Sequence, residues 1–531
     1  MTAATSPVAE SETAQAPPVD WVRLCLGFGG MVIGQFMAIL DIQIVAASLP
    51  QIQAGIGASA DAISWVQTAY IIPEVVMIPL SGFLSRMWGT QRLFLASCAG
   101  FMIMSVATGL SSNLETMIIT RALQGFLGGA MIPTVFATAF TAFPPSRRIT
   151  ASVIMGLIVT LAPTVGPTIG GHLSEALSWR WLFFINLFPG ALVLFLVWRY
   201  ADFDKGNSSL AQRFDWLGLG LMATTLMGMQ FVLEEGSKDG WFTDPLILGL
   251  SILALTCGVL FVRRSLSIAT PIVELRALGD RNFATGVTMT FVVGAALFGG
   301  TFLLPLFLGR VREFSPSEVG TTMIVSGLAM FLSGPIAGRI ARAVDLRLPM
   351  AAGFLLCAGS MWMGTQVTSD WGFWQFASLQ AMRGSGIMLG MIATQQVTMS
   401  TLPPHMVKNA SGIVNLSRNV GGAFGLAMLN TVLTHQTAAH LEGISAAMPA
   451  SDPQGNAMLQ GLLAHFQALG VADPHTSALS ALFGILQREA ATRAFADSFG
   501  LLAVGCLFAA CIALVSKPVR TPQLPSSEGA H

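Results

Sequence analysis

Fourteen stretches of mostly apolar residues run along the chain, at roughly 22–46, 62–84, 93–111, 114–141, 150–172, 181–199, 214–234, 245–264, 283–308, 317–341, 348–367, 373–400, 409–435 and 495–516. A helix rising 1.5 Å per residue needs about 20 such residues to cross a hydrocarbon core ~30 Å thick. Inside that core each backbone N–H and C=O must find its partner within the protein, so only helices and closed barrels span it. Runs this long without apolar/polar alternation specify helices. Of the 531 residues, 53% are hydrophobic and only 10% charged, whereas a soluble domain carries about 25% charge. With a mean hydropathy of +0.67, the chain is expected to be an all-α integral membrane protein, and an ordinary soluble enzyme is excluded.

The 27 basic and 27 acidic residues cancel. No concentrated basic run is present, which excludes a nucleic-acid partner. Position is more informative than net charge. With the N-terminus inside, the inner segments hold 18 Lys and Arg, the outer segments six (Arg180, Lys238, Arg310, Arg312, Arg488, Arg493), and three (Arg121, Arg383, Arg418) fall within helices. That alternation obeys the positive-inside rule through all fourteen spans, so both termini are expected in the cytoplasm. Residues 1–21 read as a disordered cytoplasmic tail and 517–531 as a cytoplasmic tail. One outer segment, 436–494, has the composition of a long aqueous loop with short helices. The six cysteines are scattered singly through apolar stretches and read as small buried hydrophobes, with no metal-ligand spacing.

The chain repeats itself. Phe143-Pro144-Pro145 and Ala151-Ser152-x-Ile154-x-x-Leu157 reappear 259 residues later as Leu402-Pro403-Pro404 and Ala410-Ser411-x-Ile413-x-x-Leu416. At the same offset Ala122 and Gly125 meet Ala381 and Gly384. Two parallel halves imply a duplicated transporter with its site at the repeat interface near the midplane. The expected organisation is a six-helix bundle over 22–200, two additional spans with flanking loops over 201–281, and a second six-helix bundle over 282–516 that includes the 436–494 loop.

Only two acids lie well inside spans, Asp41 and Glu74. An ionised acid at the bilayer centre costs at least ~2.5 kcal/mol, so such residues default to functional sites. At 1.5 Å per residue, Arg121 lies ~10 Å below the outer start of the fourth span and Asp41 ~13 Å below Pro50, a shared level at which they can pair. Glu74, just after Pro73, sits about 18 Å into the second span. Asp41, Glu74 and Arg121 are therefore the candidate proton-coupling residues, with Glu74 alternatively selecting cationic substrates. Gln43, Glu74, Arg383, Asn415 and Arg418 are candidates for the substrate cavity. For Arg418, pairing with a backbone carbonyl or a loop acid is an equal alternative. Pro163, Gly166, Pro167, Gly170 and Gly171 in the fifth span combine close-packing glycines with helix-bending prolines. Either they only permit packing, or they form a bent gate.

These strings resemble the major facilitator superfamily, and within it the fourteen-span drug:proton antiporters of the EmrB/QacA type. Leu40-Asp41-Ile42-Gln43-Ile44-Val45-Ala46-Ala47-Ser48-Leu49-Pro50 is similar to that subfamily's helix 1 signature. Gly82-x-Leu84-x-x-x-x-Gly89 is similar to the loop 2–3 motif, and Arg121-x-x-Gln124-Gly125 to the helix 4 motif. Gly166-Pro167-x-x-Gly170-Gly171 resembles the helix 5 antiporter motif, and Trp179-Arg180-Trp181-x-Phe183-Phe184-Ile185-Asn186 the stretch after it. The chain departs from the pattern at Arg86, where the cytoplasmic loop motif (Gly82, Arg86, Gly89) normally holds Asp, and at Gln43 and Ala46, which replace Thr and Asn. The resemblance implies a major facilitator fold of two six-helix bundles plus two central helices in a bacterial inner membrane. It also implies export of small hydrophobic or amphipathic drugs and toxic compounds, driven by the proton gradient without a cofactor or metal. The 436–494 segment resembles the one through which Gram-negative members meet a periplasmic adaptor protein and an outer-membrane channel; its alternative is a flexible cap.

Other classes fit less well. The four lysines include no G-x-x-x-x-G-K-[ST], which argues against an ATP-driven pump, and no H-E-x-x-H or G-x-S-x-G occurs. An exporter of one metabolite, such as a fatty acid or siderophore, and a nutrient symporter are the alternative transport readings. A receptor or scaffold without transport is the alternative from another class.

Overall fold

The computed structural model describes residues 20–518 apart from 60, 61, 239, 315, 404 and 448–452, so most of the two expected tails lies outside the described residues. Each of the fourteen apolar runs falls on a helix. These are α1 (Trp21–Ala47), α2 (Trp65–Trp88), α3 (Thr90–Gly109), α4 (Leu114–Thr141), α5 (Pro145–Ala176), α6 (Trp181–Tyr200) and α7 (Trp216–Glu235). They continue as α8 (Pro245–Ser267), α9 (Arg281–Arg310), α10 (Pro316–Ala343), α11 (Arg347–Gly364), α12 (Phe373–Ser400), α13 (Val407–Ala447) and α14 (Pro474–Ala513). Ten are long and apolar enough to cross a membrane, and α5, bent by 42° between Pro163 and Val165, makes eleven. The other three, α11 to α13, fall short of that apolar threshold.

Local chemistry sets where these helices start and bend. Asp20, Asn113, Asp215, Asp244, Asp280 and Asp473 each accept a backbone N–H of the first helical turn, satisfying a donor that has no partner in the helix. Within α4 the regular helix breaks at Gly129-Ala130 and resumes at Met131. In α5 the bend sits where Pro163 and Pro167 remove backbone donors.

The two halves use one packing plan. In the first, α1 packs on α5 and α6, α2 on α4, and α3 on α4 and α6; in the second, α9 packs on α13 and α14, α10 on α12, and α11 on α12 and α14. This correspondence is the structural form of the sequence repeat. The halves meet where α2 and α4 pack on α13 and where α5 packs on α10 and α12. Helices α7 and α8 form a hairpin that rests on α2, with α8 almost wholly on the outside. Exposed Trp88, Trp198, Trp216, Trp362 and Trp374 stand near helix ends, the position of an interfacial aromatic belt. The end of the bundle where α1 begins also carries most of the Lys and Arg and is called the basic face below.

The segment expected as a long loop is mostly helix. Helix α13 continues to Ala447, a further helix spans Pro453–Ala468, and α14 already begins at Pro474. The apolar pattern stops near residue 435, but the helix does not. The polar residues beyond it include no Pro before Pro449, so nothing ends the helix at the membrane surface. The projecting ends are tied down by His440 Nε2 to Asp497 Oδ2 (2.8 Å) and Arg488 Nη2 to Glu313 Oε1 (2.5 Å).

Candidate functional site

Asp41 of α1 and Arg121 of α4 form an ion pair, Nη1 to Oδ2 2.5 Å, with both side chains fully buried. The carboxylate has further donors. Asn186 Nδ2 in α6 donates to its Oδ1 at 2.8 Å and Gln124 Nε2 at 3.3 Å. Arg121 donates from Nε to the Val66 carbonyl of α2 (3.2 Å) and from Nη1 to Gln124 Oε1 (3.0 Å). Its guanidinium carbon lies 4.2 Å from the Tyr70 ring centre, a cation–π contact. Asn186 also reaches Ser105 Oγ of α3 at 3.0 Å. Five helices of the first half thus converge on one charge pair. The guanidinium Nη2 has no hydrogen-bond partner among the described residues.

Sequence reading found Asp41 and Arg121 and their common depth. It missed Asn186, Gln124, Ser105 and Tyr70 as members of the site, although Asn186 and Gln124 stand inside quoted motifs. Depth follows from counting residues, but which side of a helix faces which neighbour does not.

Glu74 is buried in α2, and among the described residues no cation lies within ion-pairing distance of its carboxylate. Its electrostatic neighbours include Arg121 in its own half and Arg418 across the interface. Arg418 of α13 donates from Nη2 to Asn415 Oδ1 at 2.7 Å. It also lines a small void with Phe136, Thr290, Met391, Thr394 and Gln395. That void measures about 10 Å³, room for roughly one water. Thr394 Oγ1 and Gln395 Oε1 are buried beside it without partners among the described residues. The midplane between the halves is therefore polar, charged and nearly closed.

The other candidates separate. Gln43 faces α5, where a Cβ on Gly166 would come within 2.6 Å of the Gln43 Cβ. A Cβ on Gly170 would lie 2.8 Å from the Ile44 carbonyl oxygen, whereas Gly171 has nothing within 4 Å. Arg383 lies inside the second half, with Nε on Gln380 Oε1 (2.9 Å) and Nη2 on Ser326 Oγ (3.2 Å), and is not among the walls of the midplane void. At the repeat offset Arg383 corresponds to Gln124 and Gln380 to Arg121, and Gly300, the counterpart of Asp41, stands against the Arg383 guanidinium.

At the basic face, a Cβ on Gly82 would come within 2.9 Å of Asn409 Cα in α13, so the glycine lets the two halves touch. Gly89 has φ +89°, a conformation open to glycine and strained for other residues. Arg86 stacks on the Phe83 ring. The acid beside this motif comes from another segment. Asp204, after α6, accepts the Thr90 N–H at the start of α3 (3.1 Å) and pairs with Lys408 of the second half. No spacing in the sequence links Asp204 to this motif.

Two repeated helical halves closing on a buried polar midplane are the architecture of an alternating-access membrane transporter. The family model described as Major Facilitator Superfamily matches residues 31–426, and the chain belongs to that superfamily. It is 38% identical over 484 residues to "Colistin resistance protein EmrB" of Acinetobacter baumannii, covering 90% of this chain and 93% of that one. It is 28% identical over 452 residues to "Multidrug export protein EmrB" of Escherichia coli strain K12, covering 84% and 88%. Among solved structures, the human organic anion transporter MFSD10 (TETRAN) superposes with a TM-score of 0.58 at 13% identity, covering 93% of this chain and all of that one, a likeness of fold alone.

Proposed function

We propose that this chain is a proton-driven antiporter that exports hydrophobic or amphipathic drug-like compounds across the bacterial inner membrane by alternating access, with both termini cytoplasmic. The observation that carries this reading is the wholly buried Asp41–Arg121 pair, where adding a proton changes the contacts of several helices together. Ionised, Asp41 accepts from Arg121, Gln124 and Asn186. A proton on Asp41 removes the counter-charge of Arg121, and an unpaired buried guanidinium costs several kcal/mol. Arg121 then turns toward Glu74, its other acidic neighbour. That exchange of partners biases the halves toward the opposite opening, while Glu74, Arg418, Asn415 and Gln43 contact substrate and the bent α5 acts as a gate. The names of the two EmrB relatives support the drug-export reading. The projecting helices of 436–494 provide the surface for a periplasmic adaptor and an outer-membrane channel.

The test is a drug-susceptibility panel in an efflux-deficient host, with proton-driven uptake into inverted vesicles alongside. The wild-type chain raises resistance to several unrelated compounds, and Asp41→Asn abolishes this at equal membrane abundance. Unchanged export by Asp41→Asn removes the residue from the mechanism. Resistance confined to one compound makes the chain a single-metabolite exporter.

A further inference from the structure

The outer flank of the molecule holds a second, much larger cavity, of about 890 Å³, between the α7–α8 hairpin and α13 of the second half. Its lining is almost entirely aliphatic and aromatic, with Met229 of α7, Leu255 and Val259 of α8 and Phe424 of α13 among its walls. Leu255 is 72% exposed and Val259 53%, so these walls are free to touch an occupant. One end is closed where Trp241 Nε1 donates to Thr431 Oγ1 at 3.0 Å, bridging hairpin and second half.

The other end is charged. Two adjacent arginines close α8 at the basic face and have different surroundings. Arg264 Nη2 pairs with Asp215 Oδ1 at 2.7 Å. Arg263 lines the cavity, is exposed, and has no hydrogen-bond or ion-pair partner among the described residues. From Ser251 to Arg263 the α8 wall alone runs about 18 Å, long enough for an acyl chain to lie along it. A long greasy slot with one free guanidinium at its basic-face end has the shape and charge of an acyl chain ending in a phosphate.

We propose that this groove seats one anionic phospholipid from the leaflet at the basic face, with an acyl chain along α8 and α13 and the phosphate on Arg263. The position gives the lipid a role beyond solvation. The hairpin is fixed to the first half through the Trp65–Phe231 ring contact (5.8 Å) and Lys238 Nζ on Ser64 Oγ (3.3 Å). The facing wall, α13, belongs to the second half. The lipid thus bridges two bodies that move against each other during alternating access.

The purified full chain is mixed with equal amounts of dioleoyl phosphatidylglycerol and dioleoyl phosphatidylcholine and examined by native mass spectrometry. The wild type retains one phosphatidylglycerol, preferred about fivefold over phosphatidylcholine, the factor expected for one arginine at a membrane surface. Arg263→Gln loses the preference, Arg263→Lys keeps it, and Val259→Trp, which fills the slot from an exposed position, retains neither lipid. Equal retention of the two lipids by the wild type, or an undiminished preference in Arg263→Gln with an unchanged melting temperature, overturns the proposal. So does one-for-one displacement of phosphatidylglycerol by sodium oleate, which marks a site for free carboxylate amphiphiles.

Discussion

Asp41 is held by donors from two other helices and shielded from water, and removing either partner of such a pair leaves a bare charge in a medium that solvates it poorly. Breaking a buried pair from one side typically costs about 3–5 kcal/mol, whereas replacing both partners with apolar residues of similar volume is often neutral. Arg121→Met therefore lowers the thermal midpoint in detergent sharply, and Asp41→Leu/Arg121→Met recovers most of the loss without restoring export. A double variant no more stable than Arg121→Met alone shows that the pair does not act as a unit. Asn186→Leu keeps the ion pair but removes one donor to Asp41, and the proton dependence of transport shifts while the variant still folds. The same residues show the reach of sequence reading. Counting residues gave the depths of Asp41 and Arg121 because helical rise is nearly constant. Rotation about each helix axis has no such rule, and so Asn186 and Ser105 came only with the structure.

At the scale of elements, α5 separates two kinds of glycine. Gly170 is pressed against the Ile44 backbone of α1, and Gly171 faces open space. A main-chain oxygen has no rotamer with which to yield, so Gly170→Leu pushes α5 off α1 and stops export at normal abundance. Gly171→Leu leaves transport within twofold in the same efflux assay. The motif string treats these two positions alike. The fourteen apolar runs were legible as helices because hydrocarbon thickness imposes a length on each run. The ends of α13 and α14 were not, because a helix continues into water wherever capping and propensity allow, and hydropathy does not record that continuation. Arg383 and Arg418 share the signature of a cation inside a span. Only packing separates them, one within the second half and the other on the void between the halves.

At the scale of the whole molecule, the basic face is closed by contacts that cross the repeat boundary: Lys408 with Asp204, Lys408 Nζ on the Ser85 carbonyl, and Gly82 against Asn409. Lys408→Gln loosens this closure. In a chain whose native cysteines are replaced, Ser411→Cys, buried just behind Lys408, reacts faster with a water-soluble maleimide when Lys408→Gln is added. Equal labelling rates mean that the ion pair does not hold the face shut. Removing the projecting helices between about 440 and 485 impairs export across the whole envelope and spares release on the far side of the membrane, measured as separate fluxes.

The ends of α13 and α14 that stand beyond the apolar pattern also act as a lever. From Pro474 to Arg493, α14 extends about 30 Å in one unbroken helix, continuous with the part of the same helix that packs against α11 and α13. A tilt of about 10° in the second half, pivoted at the membrane surface, swings the tip of that arm by ~5 Å. A body docked there would feel each turnover as a mechanical stroke, at a distance from any group that binds a proton or a drug.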